Sequence, residues 1–542
     1  RGGYGENVKI QINSSRGWQS PVGLPKLLDA TQYKKIHDVA RTNYEADIAS
    51  GVLKAPKNPA VLTPMAQPQA STDWLNQVLR NAAIVENHQI SVSGGGESTR
   101  AYLSGSFFNQ EGIIKQDSYK KGRLRLNVEQ KITEFLSTGI NSYFSYSSAT
   151  PIADDNNTYQ PWSSAIQAPP NERYNRFDAP NTKRGENGDG VPTGYGRYST
   201  TNNRNYQIEN TLTYDNKFFE NNLSLNFLAG HTYQHWDYED SYLEGEKFPS
   251  DDLRWLVSAG EINKGRSYIL SIGLESFFSR LQLNWSDKYL LMLSARADGS
   301  TKFAKGNKWG VFPAASAGWV ISEEPFFNSS TVNLFKLRGS YGLTGNQSGI
   351  SYAVGQNLLT GGQNYDLQPG LAATDVYNPD LKWEVGYSTN IGLDLTLFDR
   401  LNLSLDLYKK TTKDLLNRIN IPQESGFRTM LKNIGEISNK GFELSTNLDI
   451  YKYTDFKWNI AANFSYNENK IKDLGLGEVD YYTTGFVSVL KEGGSLGSFY
   501  LLESLGVAKE KYEYKDANGA VTKVVQAGDM IYKDQNGDGK ID

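Results

Sequence analysis

The sequence predicts an all-β fold, a transmembrane antiparallel β-barrel, and three observations support this prediction. Large apolar and polar residues alternate along many segments of the chain. The alternating runs are mostly about 9–15 residues long, which exceeds the ~5–6 residues usual in soluble sheets and fits the ~9–11 needed to cross a bilayer. The connections between the runs alternate between short and long, as in outer-membrane barrels.

The clearest alternation lies in NIGLDLTLFDRLNLSLDLYKK, from Asn390 to Lys410. Two runs of alternating residues are separated by Phe398-Asp399-Arg400. The apolar positions are Ile391, Leu393, Leu395, Leu397, Leu401, Leu403, Leu405 and Leu407. Alternation with a period of two is typical of a strand with one apolar and one wet face, and the short break predicts an antiparallel hairpin.

The same pattern recurs along the chain, and counting from a first run at Val8–Ser15 predicts about fifteen strands. Other apolar faces contain Leu124, Leu126 and Val128, then Leu223, Leu225 and Phe227, then Leu281, Leu283 and Trp285, and finally Leu444, Leu448 and Ile450. The predicted short connections are 94–98, 131–134, 217–221, 286–288, 398–400 and 451–455. The predicted long ones are 16–86, 148–204, 237–265, 344–383 and 417–436, while 322–332 and 301–308 are exceptions to the rule.

The composition excludes several classes of protein. The 542 residues carry a formal net charge of -4, so no basic balance indicates a nucleic-acid partner. The absence of cysteine excludes disulfides, thiolate metal sites and a cysteine nucleophile. No run of about 18 apolar residues exists, which excludes a helical membrane span, whereas alternation halves the apolar density of a spanning strand and leaves a β-barrel allowed.

The charged residues of the strands share the face opposite the leucines. If the leucines meet lipid, this second face lines a wet lumen, because a charge facing lipid at mid-depth costs about 2–4 kcal/mol. The predicted lumenal charges are Arg123, Arg125, Glu129, Arg296, Asp298, Asp394, Asp406, Glu443 and Asp449. The alternative places these charges on the solvated face of a soluble antiparallel sheet.

One convincing helix is predicted, in DATQYKKIHDVARTNY within the first long connection. Tyr33, Ile36, Val39 and Ala40 form its apolar stripe, behind a cap at Asp29 or Thr31. We expect the stripe to pack within its own loop.

Several longer segments resemble SusC/RagA-type TonB-dependent outer-membrane transporters. They are SVSGGGESTRAYLSGSFFNQEGIIK (91–115), DKYLLMLSARADGSTKFAKGNKWGVFPAASAGWVISEEPFF (287–327), FKLRGSYGLTGNQ (335–347), NIGEISNKGFEL (433–444) and YKDQNGDGKID (532–542). The resemblance covers nearly the whole chain in the family's order and says nothing about the substrate.

The resemblance implies a 22-stranded barrel with an N-terminal plug, integral to the bacterial outer membrane, with long extracellular loops. It implies active import of oligosaccharides or glycans, and sometimes of peptides, rather than an enzymatic activity. Energy is expected from the TonB–ExbB–ExbD complex, and a SusD-like surface lipoprotein is the expected partner. Residues 1–12 resemble the junction between the plug and the first strand, so residues 13–542 are predicted to be a partial barrel that lacks the plug, the TonB box and about seven C-terminal strands.

A calcium-binding loop is predicted at the end of the sequence. In DQNGDGKID, oxygen-bearing residues alternate and a glycine follows the third of them, as calcium loops require. The predicted ligands are Asp534, Asn536, Asp538, Lys540 through its backbone carbonyl, and Asp542. The alternative is a polar Asn-Gly/Asp-Gly turn, and no other cofactor is expected.

Aromatic residues beside polar groups in the long loops are weak candidates for sugar contacts. These are Tyr159, Trp162, Tyr195 and Tyr198, followed by Tyr174, Tyr352 and Tyr365, and packing against other loops or a partner is the alternative. His231 and His235 would lie about 13 Å apart on one strand face, too far to share a metal. Gly94–Gly96 is not followed by lysine and is no phosphate loop, and no catalytic arrangement stands out.

Two rival functions remain open from the sequence. A secreted or surface β-rich glycan-binding or glycan-active protein would have shorter strands, no sorting of its loops by length and a pocket with paired carboxylates. A passive porin would lack a plug.

Overall fold

Fifteen long strands form one sheet in which they follow one another in chain order. The computed structural model describes residues 5–54, 64–68, 70–115, 117–150, 161–171, 194–248, 256–350, 359–366, 368–373, 375–452, 455–475, 481–482 and 488–541. The strands are β1 Lys9–Gln19, β2 Ala83–Gly95, β3 Thr99–Glu111, β4 Ser118–Lys131, β5 Leu136–Thr150, β6 Gly194–Phe218, β7 Leu223–Phe248, β8 Glu261–Trp285, β9 Tyr289–Ser300, β10 Trp309–Val320, β11 Val332–Asn346, β12 Glu384–Leu397, β13 Leu401–Lys413, β14 Glu436–Lys452 and β15 Lys457–Asp473. The predicted all-β class and the predicted strand count are confirmed.

The short connections are tight turns at alternate junctions of the sheet. Residues 286–288 join β8 to β9, and residues 398–400 join β12 to β13. The first two residues of each turn, Ser286 with Asp287 and Phe398 with Asp399, have positive φ. Such mirror-image turns match the twist of the strands they join, which explains why three residues suffice.

The long connections lie at the other junctions, at 20–82, 151–193, 347–383 and 414–435. One prediction is wrong here: β6, β7 and β8 have 25, 26 and 25 residues, so the connection predicted at 237–265 shrinks to 249–260. Strand pairing continues past the apolar stretch, where the sequence no longer needs to alternate. The connection at 112–117 is a further short member of the long set.

Helices occur in the connections. α1 (Ala30–Ala49) begins with a capping box in which the Asp29 carboxylate accepts a hydrogen bond from the Gln32 amide, so the cap is Asp29. Ile36 and Val39 on its stripe are 56% and 54% exposed, and the expected packing of the stripe within the loop is therefore wrong. Short helices α2 (Trp74–Val78) and α3 (Pro161–Gln167) were not predicted.

Three single turns of 3-10 helix lie at Leu256–Ser258, Ile321–Glu323 and Gln423–Ser425. No helix in the described part of the chain is long and apolar enough to cross a membrane.

The chain divides into two compact units. The first comprises residues 1–214 and 228–277, and the second comprises residues 215–227 and 278–542. In the first unit, register positions pair Ile12 with Ile90, and Leu124 with Phe144. All four side chains are exposed.

The second unit repeats this arrangement on β11 to β15. Register positions pair Leu337, Leu393, Leu405, Leu444 and Phe464 in one row across the five strands. In the neighbouring row, Ile391 and Leu407 are 61% and 52% exposed. We call this side of the sheet in each unit the apolar face, and the opposite side the polar face.

The buried residues gather in the connections rather than between layers of sheet. One cluster contains Leu75, Leu79 and Ala165, and another contains Ala508, Tyr514 and Val525. The apolar face therefore depends on its surroundings to remove its side chains from water.

Candidate functional site

The polar face carries the predicted lumenal charges, and many of them are paired. Arg100 donates to Glu129 at 2.6 Å, and Arg296 donates to Asp298 at 2.7 Å. Asp449 accepts from Asn459 at 2.8 Å, and Arg125 donates to Asn127 at 3.3 Å. Arg123 lies on the same face and is exposed, and Glu443 lies opposite Asp406 in the register.

Arg338 is the centre of the densest charge network on the polar face. Its two terminal nitrogens donate to both carboxylate oxygens of Asp406 at 2.6 Å. Its Nε donates to Asp394 at 3.1 Å, and Nη2 also reaches the hydroxyl of Ser404 at 3.1 Å. The Ser404 hydroxyl donates in turn to Asp394 at 2.7 Å. This bidentate geometry fixes the orientation of the guanidinium and ties β11, β12 and β13 together.

A glycine makes this network possible. Gly392 lies between Arg338 on β11 and Asp406 on β13 in the register. A Cβ at Gly392 would lie 2.4 Å from Cζ of Arg338, so the guanidinium occupies the space of the missing side chain. Asp394 and Asp406 were predicted as lumenal, but Arg338 and Gly392 were missed. The turn of three residues between β12 and β13 could have aligned Gly392 with Asp406.

A cavity of 620 Å³ lies on the polar face beside Arg338. Its polar lining consists largely of amides and hydroxyls, and two cations add positive charge. The residues include Ser224, Asn226, Gln282, Asn284, Ser316, Lys336, Arg338, Ser340 and Asn390. Its volume falls within the range of ligand sites, and its lining favours polar, hydroxyl-rich or amide-rich molecules.

Three aromatic residues hold the long connections of the second unit to the strands below them. We call Phe303, Phe312 and Trp383 the loop-base cluster, and all three are buried. The Trp383 ring lies 5.2 Å from that of Phe303 and 5.6 Å from that of Phe312. A Cβ at Gly345 would lie 2.1 Å from the Phe312 ring, which explains a glycine there. These contacts account for motifs at 301–312 and 341–346 that the sequence shows without a reason.

Lys302 joins two connections next to the loop-base cluster. Its amine donates to the carbonyl of Ile350 at 2.7 Å and to that of Gln347 at 3.3 Å. Burial lowers the pKa of the Lys302 amine. The 301–308 turn and the start of the 347–383 connection are thereby held together.

The predicted calcium loop is folded by its own backbone. The Asp534 carboxylate accepts hydrogen bonds from the amides of Gly537 and Gly539, both at 2.7 Å. Desolvation acts to raise the pKa of Asp534, but the backbone amides of residues 536–539 outweigh it and hold the pKa below its ordinary value. The described residues hold no group of three acidic, histidine or cysteine side chains placed to bind a metal. Asp542 lies outside the described residues, and metal binding by this loop stays a prediction.

The aromatic candidates for substrate contact are scattered. Trp162 packs with Trp74 and Ile114 against the cluster around Leu75, so its contacts are those of loop packing. Tyr198 lies on β6 and is 59% exposed, two turns of the alternation from Tyr206 and on the same side as the apolar face. Tyr159, Tyr174, Tyr352 and the side chain of Tyr195 lie outside the described residues, while Tyr365 is 86% exposed. A substrate role for any of them stays a prediction.

The two histidines of β7 have separate partners. His231 lies 3.2 Å from a Glu275 oxygen, and His235 lies 3.0 Å from an Asp237 oxygen. Each interacts with its own acid, as expected for residues that do not share a metal.

The comparison with known proteins agrees with this architecture. A family model described as TonB dependent receptor-like, beta-barrel matches residues 73–542. TonB-dependent receptor P39 of Formosa agariphila is 30% identical, over 86% of this chain and 53% of its own length. TonB-dependent receptor SusC of Bacteroides thetaiotaomicron is 25% identical, over 86% of this chain and 56% of its own length. The chain thus spans little more than half the length of these relatives.

A solved structure supports the fold. The structure of the RagAB peptide transporter matches 98% of this chain and 70% of the matched chain, with a TM-score of 0.72 and 22% sequence identity. The strand order, the two faces of the sheet, the family model and these relatives agree. The chain belongs to the TonB-dependent receptor β-barrel family of the bacterial outer membrane, and within it to the SusC/RagA type.

Proposed function

We propose that the complete protein imports nutrients across the outer membrane and draws its energy from the TonB–ExbB–ExbD complex. The observation that carries this proposal is the two-sided sheet, in which exposed leucines form one face and a charged, hydrated face lies opposite. In an outer-membrane barrel the polar face encloses the path of the solute. No enzymatic activity is proposed.

The substrates proposed are oligosaccharides, with peptides as the second candidate. The cavity beside Arg338 offers neutral amides and hydroxyls, which exchange hydrogen bonds with sugar hydroxyls. Peptide groups fit the same donors and acceptors, and the matched RagAB structure is that of a peptide transporter.

Growth of a deletion strain tests the proposal. Cells that lack the gene should fail to grow on one defined oligosaccharide or peptide mixture as the sole nutrient, and the complete gene should restore growth. A protonophore added to cells should stop uptake of the labelled nutrient, because the import step needs the proton gradient. Uptake that continues without a gradient would instead indicate a passive porin.

A SusD-like lipoprotein is the proposed partner. The structure titled RagAB names two components, and the SusC relative belongs to the same type. The stripe of α1 around Ile36 and Val39 is exposed and apolar, as expected of a surface that a partner covers. The complete protein should co-purify with a lipoprotein, and serine at both positions should weaken the complex while serine at Thr42 should not.

A further inference from the structure

A notch interrupts the apolar face of the first unit. It lies at Gly105 on β3 and Gly122 on β4, where an added Cβ would meet no atom within 4 Å. Ile90 pairs with Gly105 in the register, and Gly122 lies between Phe107 and Tyr146. The resulting depression has a volume of 750 Å³. Two glycines on strands that otherwise carry large apolar residues thus leave an apolar hollow on the side that faces lipid.

The depth of the notch follows from the geometry of β4. Gly122 lies nine residues and Lys120 eleven residues before Lys131, the end of β4 next to a short turn. At about 3.3 Å per residue and a tilt of about 45°, these positions stand roughly 21 Å and 26 Å above that end. The apolar band of such barrels is about 25 Å tall. The notch therefore lies in the outer half of the membrane, and Lys120 lies at its outer boundary.

Basic side chains stand around the outer end of the notch. Lys120 is exposed and has no ion-pair partner among the residues that the structure describes. Arg204 lies opposite Tyr146 in the register and keeps 49% of its side chain exposed beside Glu239, 3.9 Å away. Arg16 pairs with Glu86 at 3.3 Å and remains 56% exposed. All three alternate in step with the apolar face, so they point to the lipid side at the level of the headgroups.

We infer that this notch binds one phosphate-bearing lipid of the outer leaflet. The acyl chain lies over Gly105 and Gly122, between the aromatic rings, and the phosphate meets Lys120 and Arg204. Ammonium and guanidinium groups are the donors that phosphate prefers, whereas a protein partner or a second copy of the chain would not require them at headgroup level. The inference is independent of the imported substrate.

The test measures lipid retained by the complete protein. The protein is placed in nanodiscs of phosphatidylcholine with added monophosphorylated lipid A, extracted into mild detergent, and weighed by native mass spectrometry. One lipid A should stay bound, and lipid A stripped of its phosphate should not. Lys120→Ser and Gly122→Leu should each reduce retention about tenfold, because one loses a charge-assisted contact and the other fills the hollow.

Lys121→Ser is the matched control, because Lys121 is the next residue of β4 and points to the polar face. It should retain lipid A as the unchanged protein does, and resistance of all variants to SDS before boiling verifies their fold. Equal retention by Lys120→Ser, Gly122→Leu and Lys121→Ser would overturn the inference. So would retention of the phosphate-free lipid to the same extent, or a dimer in detergent that occupies this face.

Discussion

At the scale of single residues, the polar face depends on side chains that reach across strands. Arg338 spans β12 to contact Asp406, and it can do so only over Gly392. Glu324, beside the Ile321–Glu323 turn, gathers donors from two strands in the same way: the hydroxyl of Tyr289 at 2.5 Å and the indole of Trp319 at 3.0 Å. Each arrangement makes a specific substitution costly.

Gly392→Ala should destabilise the complete protein by about 1–3 kcal/mol, because the displaced Arg338 leaves two carboxylates without their partner. Unfolding by guanidinium in detergent measures the change. Gly339→Ala is the control, since a Cβ there meets nothing nearer than 3.9 Å. Equal stability of the two variants would contradict the role of Gly392.

Glu324 should make the stability depend on pH. Hydrogen bonds from Tyr289 and Trp319 hold the pKa of Glu324 below its ordinary value of 4.5. Because the folded-state pKa is the lower one, the stabilisation is complete above about pH 4.5 and is lost as the pH falls through the folded-state pKa. Glu324→Gln should therefore lower the unfolding midpoint at neutral pH and flatten its fall in acid, whereas the exposed neighbour Glu323→Gln should leave the acid profile as it is.

At the scale of elements, the strands follow from the sequence far better than the connections do. The hairpin of β12 and β13 has its turn at the predicted residues, because alternation and turn length are local signals. The ends of β6 to β8 were missed because paired strands in water need no apolar alternation. The position of Trp162 against Leu75, and the reach of Arg338, depend on contacts between distant residues that leave no periodic signal.

Removing the Trp383 ring should loosen the long connections of the second unit while the strands stay paired. Truncation of a buried tryptophan to alanine costs about 3–5 kcal/mol, and here the loss falls on the loop-base cluster. Hydrogen exchange in Trp383→Ala should rise in 301–308 and 375–383. Trp458→Ala, at a position 48% exposed on the apolar face, should leave those segments protected, and equal protection in both variants would contradict the cluster's role.

The terminal loop should bind calcium if its alternating oxygens act as ligands. Isothermal titration of the complete protein with Ca²⁺ should give a heat that Asp538→Ala reduces, because that change removes one predicted ligand. Asn518→Ala, in the Asp516–Gly519 turn, is a control outside the loop. Equal heats from the unchanged protein and Asp538→Ala would leave only a polar turn.

At the scale of the whole molecule, the account depends on which medium each face of the sheet meets. The family, the strand order and the exposure of the leucines all place the apolar face in lipid. The predicted limits of the plug junction at residues 1–12 and of the barrel at 13–542 stay predictions, since they concern parts of the protein that this sheet does not contain. The substrate is likewise beyond the reach of alternation, because the same two-sided strand serves any solute.

Spin labels at two adjacent residues of β12 test this claim most directly, and the absence of cysteine makes labelling specific. Ile391→Cys lies on the apolar face and Asn390→Cys lines the cavity. In the complete protein in liposomes, the label at 391 should collide with oxygen and be shielded from a water-soluble nickel chelate, and the label at 390 should show the reverse. Nickel access at both positions, or shielding of position 390 alone, would contradict a sheet with lipid on one side and water on the other.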